Sequence, residues 1–336
     1  MFPVEKILPD IAASLERNRS VVLQAPPGSG KTTCVAPYLL DASFLRGKKI
    51  VMLEPRRLAA RSCASYIARK RGEEVGGTIG YQVRLERKVS SSTRLEILTE
   101  GLLVQRLVRD PELSDVGLVI FDEFHERSLS CDLAFALTLD VRRALRDDLR
   151  ILVMSATLDA APIAEHLGDA DIHTAEARMF PVETRYLKEE PFGPIAPVMA
   201  GAVKRALGEV KGDVLCFLPG EGEIRRTEEI LRDESLPQSV KVMPLYGALA
   251  KDLQDEVLRP LPGRQKVILA TSIAETSLTI EGVEGVVDSG LMRVSRFSPR
   301  SGMSRLETLR LTRDRAEQRR GRAGRVGQGM DQTRRP

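Results

Sequence analysis

Tryptophan is absent from the 336-residue chain, and the aromatic residues together make up only 4% of it. Base-stacking platforms are therefore few, and any nucleic acid would be held mainly by its phosphate backbone. Histidine occurs three times, and the four cysteines (Cys34, Cys63, Cys131 and Cys216) are scattered without a C-x-x-C spacing. That distribution argues against a zinc site and reads as reduced, mostly buried thiols of a cytoplasmic protein. The segment "HER" at 125–127 opens like a zinc-protease helix, but Leu129 stands where the second histidine is required, so that chemistry is excluded. No apolar run approaches the ~20 residues of a membrane span. The opening "MFPVEKILPD" carries acids and lacks the apolar stretch of a secretion signal.

A hydrophobic content of 42% over 336 residues suits a globular chain too long for one ordinary core, so two domains are expected. The net charge of +4 hides an asymmetry. Residues 291–336 hold thirteen arginines and no lysine against four acids, a balance of +9 that leaves −5 on residues 1–290. A basic run built from arginine alone suggests phosphate recognition, because the guanidinium fork matches phosphate oxygens.

Short apolar runs alternate with longer helical patterns: "SVVLQA", "KIVMLEP", "RLEILTE", "VGLVIFDE" and "RILVMSAT". This is the rhythm of parallel strands joined by helical crossovers, with polar groups at the strands' carboxyl ends. A Pro- and charge-rich stretch, residues 176–198, reads as an interdomain connection. The rhythm then restarts with "GDVLCFLPG", "VKVMPLYG", "QKVILATS" and "EGVVDSG". The boundary falls between domains 1–178 and 179–336. The second set carries no phosphate loop, so it is expected to complete the site of the first.

"QAPPGSGKTT", residues 24–33, fits the phosphate-binding loop, with Ala25 where the strict pattern has its first glycine. Ala25, Pro26, Pro27, Gly28, Ser29, Gly30, Lys31, Thr32 and Thr33 form the candidate nucleotide cradle. Gly28 and Gly30 permit positive φ and close backbone approach. Lys31 would reach the β- and γ-phosphates, and Thr32 would ligate Mg2+. In "LVIFDEFHE", Asp122 would hold the same Mg2+ and Glu123 would orient and deprotonate an attacking water. Two adjacent carboxylates need a nearby cation to offset their repulsion, and a Mg2+–nucleotide supplies one.

With these motifs the chain resembles the superfamily-two DExH-box (DEAH-box) RNA helicases, and within them the bacterial HrpB-type branch. "APPGSGKTT" is similar to motif I, "EPRRLAAR" (54–61) to Ia, "TEG" (99–101) to Ib, "DEFH" (122–125) to II and "SAT" (155–157) to III. "FLPG" (217–220), "ATSIAETSLTI" (270–280) and "QRRGRAGR" (318–325) are similar to motifs IV, V and VI. The resemblance implies an α/β fold of two tandem RecA-like P-loop domains, each a parallel sheet flanked by helices. It implies an ATP-dependent RNA helicase or NTPase using ATP, or other NTPs, with Mg2+.

Carried over residue by residue, the resemblance makes Arg322 and Arg325 arginine fingers supplied by the second domain, and Gln318 the positioner of the lytic water. Arg56, Arg57, Thr99 and Thr271 would touch the nucleic-acid backbone, single-stranded RNA or an RNA duplex. His125, Ser155 and Thr157 would couple nucleotide state to domain closure. No membrane partner is implied, and the oligomeric state is left open. Alternatives are a DNA translocase on the same engine, or a non-catalytic nucleic-acid-binding remnant. Ser272 departs from the asparagine usual in motif V. Tyr66 and Leu258 align where relatives sandwich the base between arginine and phenylalanine, which implies loose base selectivity. The chain looks like a helicase core cut off after motif VI. Its tail "VGQGMDQTRRP" is nearly devoid of apolar residues, and 326–336 are expected to be disordered or loosely packed.

Overall fold

The computed structural model describes residues 2–156, 159–176, 181–187, 193–234, 236–275 and 280–323, and the backbone of 329–333. The chain divides into two compact units, Met1–Arg178 and Met179–Pro336.

The first unit runs α1 (Leu8–Asn18), β1 (Ser20–Gln24), α2 (Lys31–Leu39), β2 (Lys49–Glu54), α3 (Arg57–Lys70), β3 (Ile79–Val83), β4 (Glu86–Lys88), β5 (Leu95–Thr99) and α4 (Glu100–Arg109). It continues through β6 (Val116–Phe121), α5 (Leu129–Ala144), β7 (Arg150–Ser155), α6 (Ala160–His166) and β8 (Asp171–Thr174). Its eight strands lie in the order β4-β3-β5-β2-β6-β7-β1-β8. Every pairing is parallel except the β3–β4 hairpin.

The five apolar runs of this half form β1, β2, β5, β6 and β7, and their alternate residues explain the layering. Val21, Leu23, Ile50 and Met52 pack with Ile11, Val35, Leu39 and Ile67 on the face covered by α1, α2 and α3. Val22, Val51 and Leu53 pack with Leu103, Leu107, Ala134 and Ile163 on the face covered by α4, α5 and α6. Strand side chains alternate between faces, so a sheet covered on both sides needs unbroken apolar strands. Each fully buried aliphatic side chain here contributes about 1.5–3 kcal/mol.

The second unit runs β9 (Val182–Tyr186), α7 (Ile195–Glu209), β10 (Asp213–Phe217), α8 (Glu221–Asp233), β11 (Val240–Leu245), α9 (Lys251–Leu258), β12 (Gln265–Ala270) and β13 (Val283–Asp288). It ends with β14 (Leu291–Ser298), β15 (Met303–Arg310), α10 (Arg313–Arg320) and β16 (Gly329–Thr333). Six strands form a parallel sheet in the order β11-β12-β10-β13-β16-β9, and β14 and β15 make a separate antiparallel pair. Its core gathers Met199, Val203, Val214, Cys216, Ile224, Leu231, Val267 and Leu269. The architecture is the expected α/β fold with parallel sheets.

Two expectations are corrected. The stretch 176–198 is not connection throughout: Val182–Tyr186 is a sheet strand, and α7 begins at Ile195. The tail also contributes a strand, Gly329–Thr333, lying between β13 and β9. The reason is common to both. A ladder is held by backbone N–H and C=O groups, which pair regardless of side-chain polarity. Low apolar content therefore did not prevent pairing.

A buried charge cluster fastens α10 to this sheet. Arg319 donates to Glu275 Oε1 from Nε (2.8 Å) and Nη2 (2.5 Å), and from Nη1 to Asp288 Oδ1 (2.6 Å). Its guanidinium also lies 4.8 Å from the centre of the Phe217 ring. Removing one partner of a buried ion pair costs more than the pair itself contributes, because the surviving charge stays desolvated. Arg319→Met is expected to destabilise the protein by about 3–5 kcal/mol in urea unfolding. Arg315→Met, at a half-exposed partner of the same Glu275, should cost about 1 kcal/mol or less.

Among the described residues, no helix is long and apolar enough to cross a membrane. All four cysteines are free thiols, with Cys63, Cys131 and Cys216 buried and Cys34 half-buried.

Candidate functional site

The strand order places β7 between β6 and β1, and three sequence motifs meet at the carboxyl ends of these neighbours. The loop after β1 turns on Gly28 (φ 83°) and Gly30 (φ 88°), conformations that an L side chain resists. Gly30 is doubly constrained, because a Cβ there would stand 2.7 Å from Phe2. Lys31 and Thr32 open α2 directly behind it, so backbone N–H groups and the helix's positive end face the loop. Ser29 Oγ is buried and has no protein partner among the described residues.

At the end of β6, Asp122 and Glu123 are both buried, and each meets a loop residue. Lys31 Nζ lies 2.9 Å from Glu123 Oε1, with side chains 6% and 9% exposed. Thr32 Oγ1 donates to Asp122 Oδ2 at 2.5 Å, while the Glu123 N–H donates to Asp122 Oδ1 at 2.8 Å. Burial pushes the Asp122 carboxyl up to about 6, against the opposing charge of Lys31 and with reinforcement from Glu123. Glu123 is held at φ 50°, a sparsely populated conformation for a non-glycine residue, and one that clusters at functional sites.

The end of β7 connects the two. The Ser155 carbonyl accepts the Ala25 N–H at 2.9 Å, and the Ala156 N–H faces His125 Nδ1 at 3.4 Å. His125 Nε2 in turn stands 3.5 Å from Glu123 Oε2. Burial lowers the His125 pKa, which favours the neutral ring and suits an Nδ1 that accepts a hydrogen bond. Ser155 itself is buried; Thr157 lies outside the described residues.

The oxygens of Thr32 and Asp122 fit a hard divalent cation. No cluster of three or more His, Cys, Asp or Glu side chains suited to a metal occurs among the described residues. Mg2+ commonly takes one or two protein oxygens and completes its shell with water and phosphate, so this donor set agrees with Mg2+ and argues against a protein-only cage.

The backbone-contact candidates of this unit lie at neighbouring strand ends. Arg56 occupies the N-cap position of α3 after β2, Arg57 is exposed beside it, and Thr99 occupies the N-cap position of α4 after β5, neither cap residue making a side-chain capping hydrogen bond. Arg56 Nη2 is 3.5 Å from Glu126 Oε1. Tyr66, on α3, carries Lys70 Nζ 5.2 Å from its ring centre.

In the second unit, Thr271 follows β12 and donates its N–H to the Leu245 carbonyl at 3.2 Å. Ser272 begins a 3-10 turn, and Leu258 is half-buried at the end of α9. Gln318 is half-buried on α10. Arg322 is buried and donates from Nε to the Glu275 carbonyl at 2.9 Å. Arg325 lies outside the described residues.

The arginine-rich segment is not uniformly a phosphate surface. Arg319, Arg315, Arg320, Arg296 and Arg293 are paired with carboxylates. The Glu275–Arg319–Asp288 cluster and Glu126 went unassigned in the sequence. "ERS" before the apolar run of α5 does carry a signal, a serine at a helix N-cap.

A phosphate loop, paired strand-end carboxylates and two parallel α/β units define a P-loop nucleotide-binding protein of the helicase type. The sequence profile of the DEAD/DEAH box helicase family matches residues 5–165, and that of the helicase conserved C-terminal domain matches 200–327. The chain belongs to the DEAD/DEAH box helicases. It is 48% identical over 330 residues to the ATP-dependent RNA helicase HrpB of Escherichia coli K12, covering 98% of this chain and 40% of that one. It is 37% identical over 336 residues to the pre-mRNA-splicing factor ATP-dependent RNA helicase prp22 of Schizosaccharomyces pombe, covering 98% and 29%. A crystal structure of the Escherichia coli DEAH/RHA helicase HrpB superposes with a TM-score of 0.92 at 46% identity, covering 99% of this chain and 42% of that one. The chain thus spans less than half the length of these relatives.

Two substitutions separate the roles at the loop. Lys31→Ala should weaken ATP binding and lower turnover by about 10²-fold or more, since preorganised charge on the phosphates is lost. Glu123→Gln should retain ATP binding, measured by a fluorescent nucleotide analogue, while kcat falls by about 10²–10⁴-fold.

Proposed function

We propose that the chain is the nucleotide-hydrolysing core of an RNA helicase, which couples Mg2+–ATP hydrolysis to movement on, or unwinding of, RNA. The observation that carries this reading is the paired contact of Lys31 with Glu123 and Thr32 with Asp122. It joins a phosphate-binding lysine to a carboxylate base, and a hydroxyl to a carboxylate suited to Mg2+, within one buried site.

Each residue has a distinct task. The γ-phosphate oxygens of ATP compete with Glu123 for the Lys31 ammonium. As the ammonium turns to phosphate, Glu123 Oε1 becomes available to accept a proton from the attacking water. Thr32 and Asp122 would hold Mg2+, which would supply positive charge to offset that of the phosphates. His125 stays neutral and keeps Glu123 in register with the strand end at Ala156. Gln318 positions the lytic water, and Arg322 and Arg325 neutralise charge that develops on the transferred phosphoryl group. Arg56, Arg57, Thr99 and Thr271 contact the nucleic-acid backbone. Ser155 and Thr157 respond to nucleotide state through the β7 end, where Ser155 already holds Ala25.

The choice of RNA over DNA follows the names of the relatives, which are RNA helicases. Steady-state ATPase measured with single-stranded RNA and single-stranded DNA in parallel tests it. RNA is expected to raise kcat by about fivefold or more, with DNA giving less. Equal stimulation would favour a DNA-competent translocase, and ATP binding without turnover would favour a non-catalytic remnant.

A further inference from the structure

The five residues after Glu123 form a tightly held loop between the candidate catalytic base and two candidate nucleic-acid contacts. Its backbone is left-handed at Glu123 (φ 50°) and again at Arg127 (φ 47°), with the 3-10 turn Phe124–Glu126 between them. Phe124 anchors the turn, edge-on to Phe121 at 6.1 Å and to Phe135 at 5.0 Å. The Glu126 N–H donates to the Glu123 carbonyl at 2.9 Å, so a displacement of Glu126 reaches the backbone of the base through one hydrogen bond.

Two side chains leave this loop toward the strand ends that bear Arg56 and Thr99. Glu126 Oε1 meets Arg56 Nη2 at 3.5 Å, with both side chains about one-fifth exposed. Ser128 Oγ donates to Glu100 Oε2, on the residue that follows Thr99 and opens α4. The same oxygen accepts the Cys131 N–H at 2.9 Å as the N-cap of α5. The Lys31–Glu123–His125 contacts leave both residues unused, and none of the eight motifs contains either.

We infer that Glu126 and Ser128 are positioning residues that transmit nucleic-acid contact at Arg56 and Thr99 to the carboxylate of Glu123. This rests on the ATPase reading above. A backbone phosphate arriving at Arg56 competes with Glu126 for the guanidinium, as anions compete for any shared cation. The Arg56–Glu126 contact is long for an ion pair, and it reaches solvent at its rim. It therefore yields to a phosphate at smaller cost than a short, fully buried pair would. Release of Glu126 resets the turn that holds Glu123. Ser128 provides the fixed end: its bonds to Glu100 and to α5 keep the α4 start and the loop moving as one body. The loop is thus one element whose arrangement both the nucleotide site and the nucleic-acid face can bias.

The test uses the whole chain with ATP and a single-stranded poly(U) oligomer. Glu126→Gln, which loosens the hold on Arg56 in advance, should raise the kcat measured without RNA toward the stimulated value, and Ser128→Ala should keep it; in both the RNA-stimulated ratio falls by about fivefold or more. Ser128→Thr, which keeps a hydroxyl for both bonds, should preserve the ratio. Full stimulation of both Glu126→Gln and Ser128→Ala, beside a stimulated unaltered chain, would overturn the coupling and leave the ATPase reading intact. Equal losses with and without RNA, accompanied by a lower Tm, would show a purely structural role and also overturn it. An unaltered chain that RNA does not stimulate would overturn the RNA-coupled function, and the coupling with it.

Discussion

Two adjacent carboxylates, Asp122 and Glu123, are buried at the end of one strand, and this is the constraint around which the first unit is arranged. Such a pair calls for a nearby cation: burial raises the Asp122 carboxyl, the charge of Lys31 opposes that rise and the charge of Glu123 adds to it. Lys31 supplies that cation across the intervening end of β7. The delivery requires the positive φ of Gly28 and Gly30, the immediate start of α2, and β7 lying between β1 and β6. Phosphate oxygens and the Glu123 carboxylate would compete for the same Lys31 ammonium.

The second unit uses the inverse arrangement. There a single buried arginine, Arg319, is held between two carboxylates and over an aromatic face. Such a cluster adds little net stability compared with an apolar core, because desolvation consumes most of the Coulombic gain. It does fix direction: the guanidinium fork accepts only a narrow set of carboxylate positions. Gln318 and Arg322 flank Arg319 on the same short segment, so its geometry sets the orientation from which they project.

The geometry of this chain was legible wherever it is local. A phosphate loop is a contiguous conformation written in glycines, and the central strands are contiguous apolar runs, so both could be read from neighbouring residues. What escaped was non-local or lacked a side-chain signature. β9 and β16 are polar segments held by backbone pairing, and β14 and β15 expose Phe297, Met303 and Leu306 without a buried face to impose a clean alternation. The arginine-rich segment was read as phosphate-directed because composition reports which groups are present but not what neutralises them. Arg319 is enclosed by carboxylates at residues 275 and 288, which only folding brings together. The pairing of Arg56 with Glu126 likewise depends on β2 lying beside β6, information that no spacing in the sequence contains.

The order of the second sheet has a consequence for biosynthesis. Val182 finds its ladder partner in Gly329, 147 residues later, and among the described residues β9 has no other strand beside it. During translation β9 leaves the ribosome long before that partner exists, while β10, β12 and β13 can already assemble. The first strand of this unit is therefore the last to gain a neighbour. Until the final stretch of this sequence emerges, the nascent sheet presents an open edge at β13, where a chaperone or a wrong strand could dock.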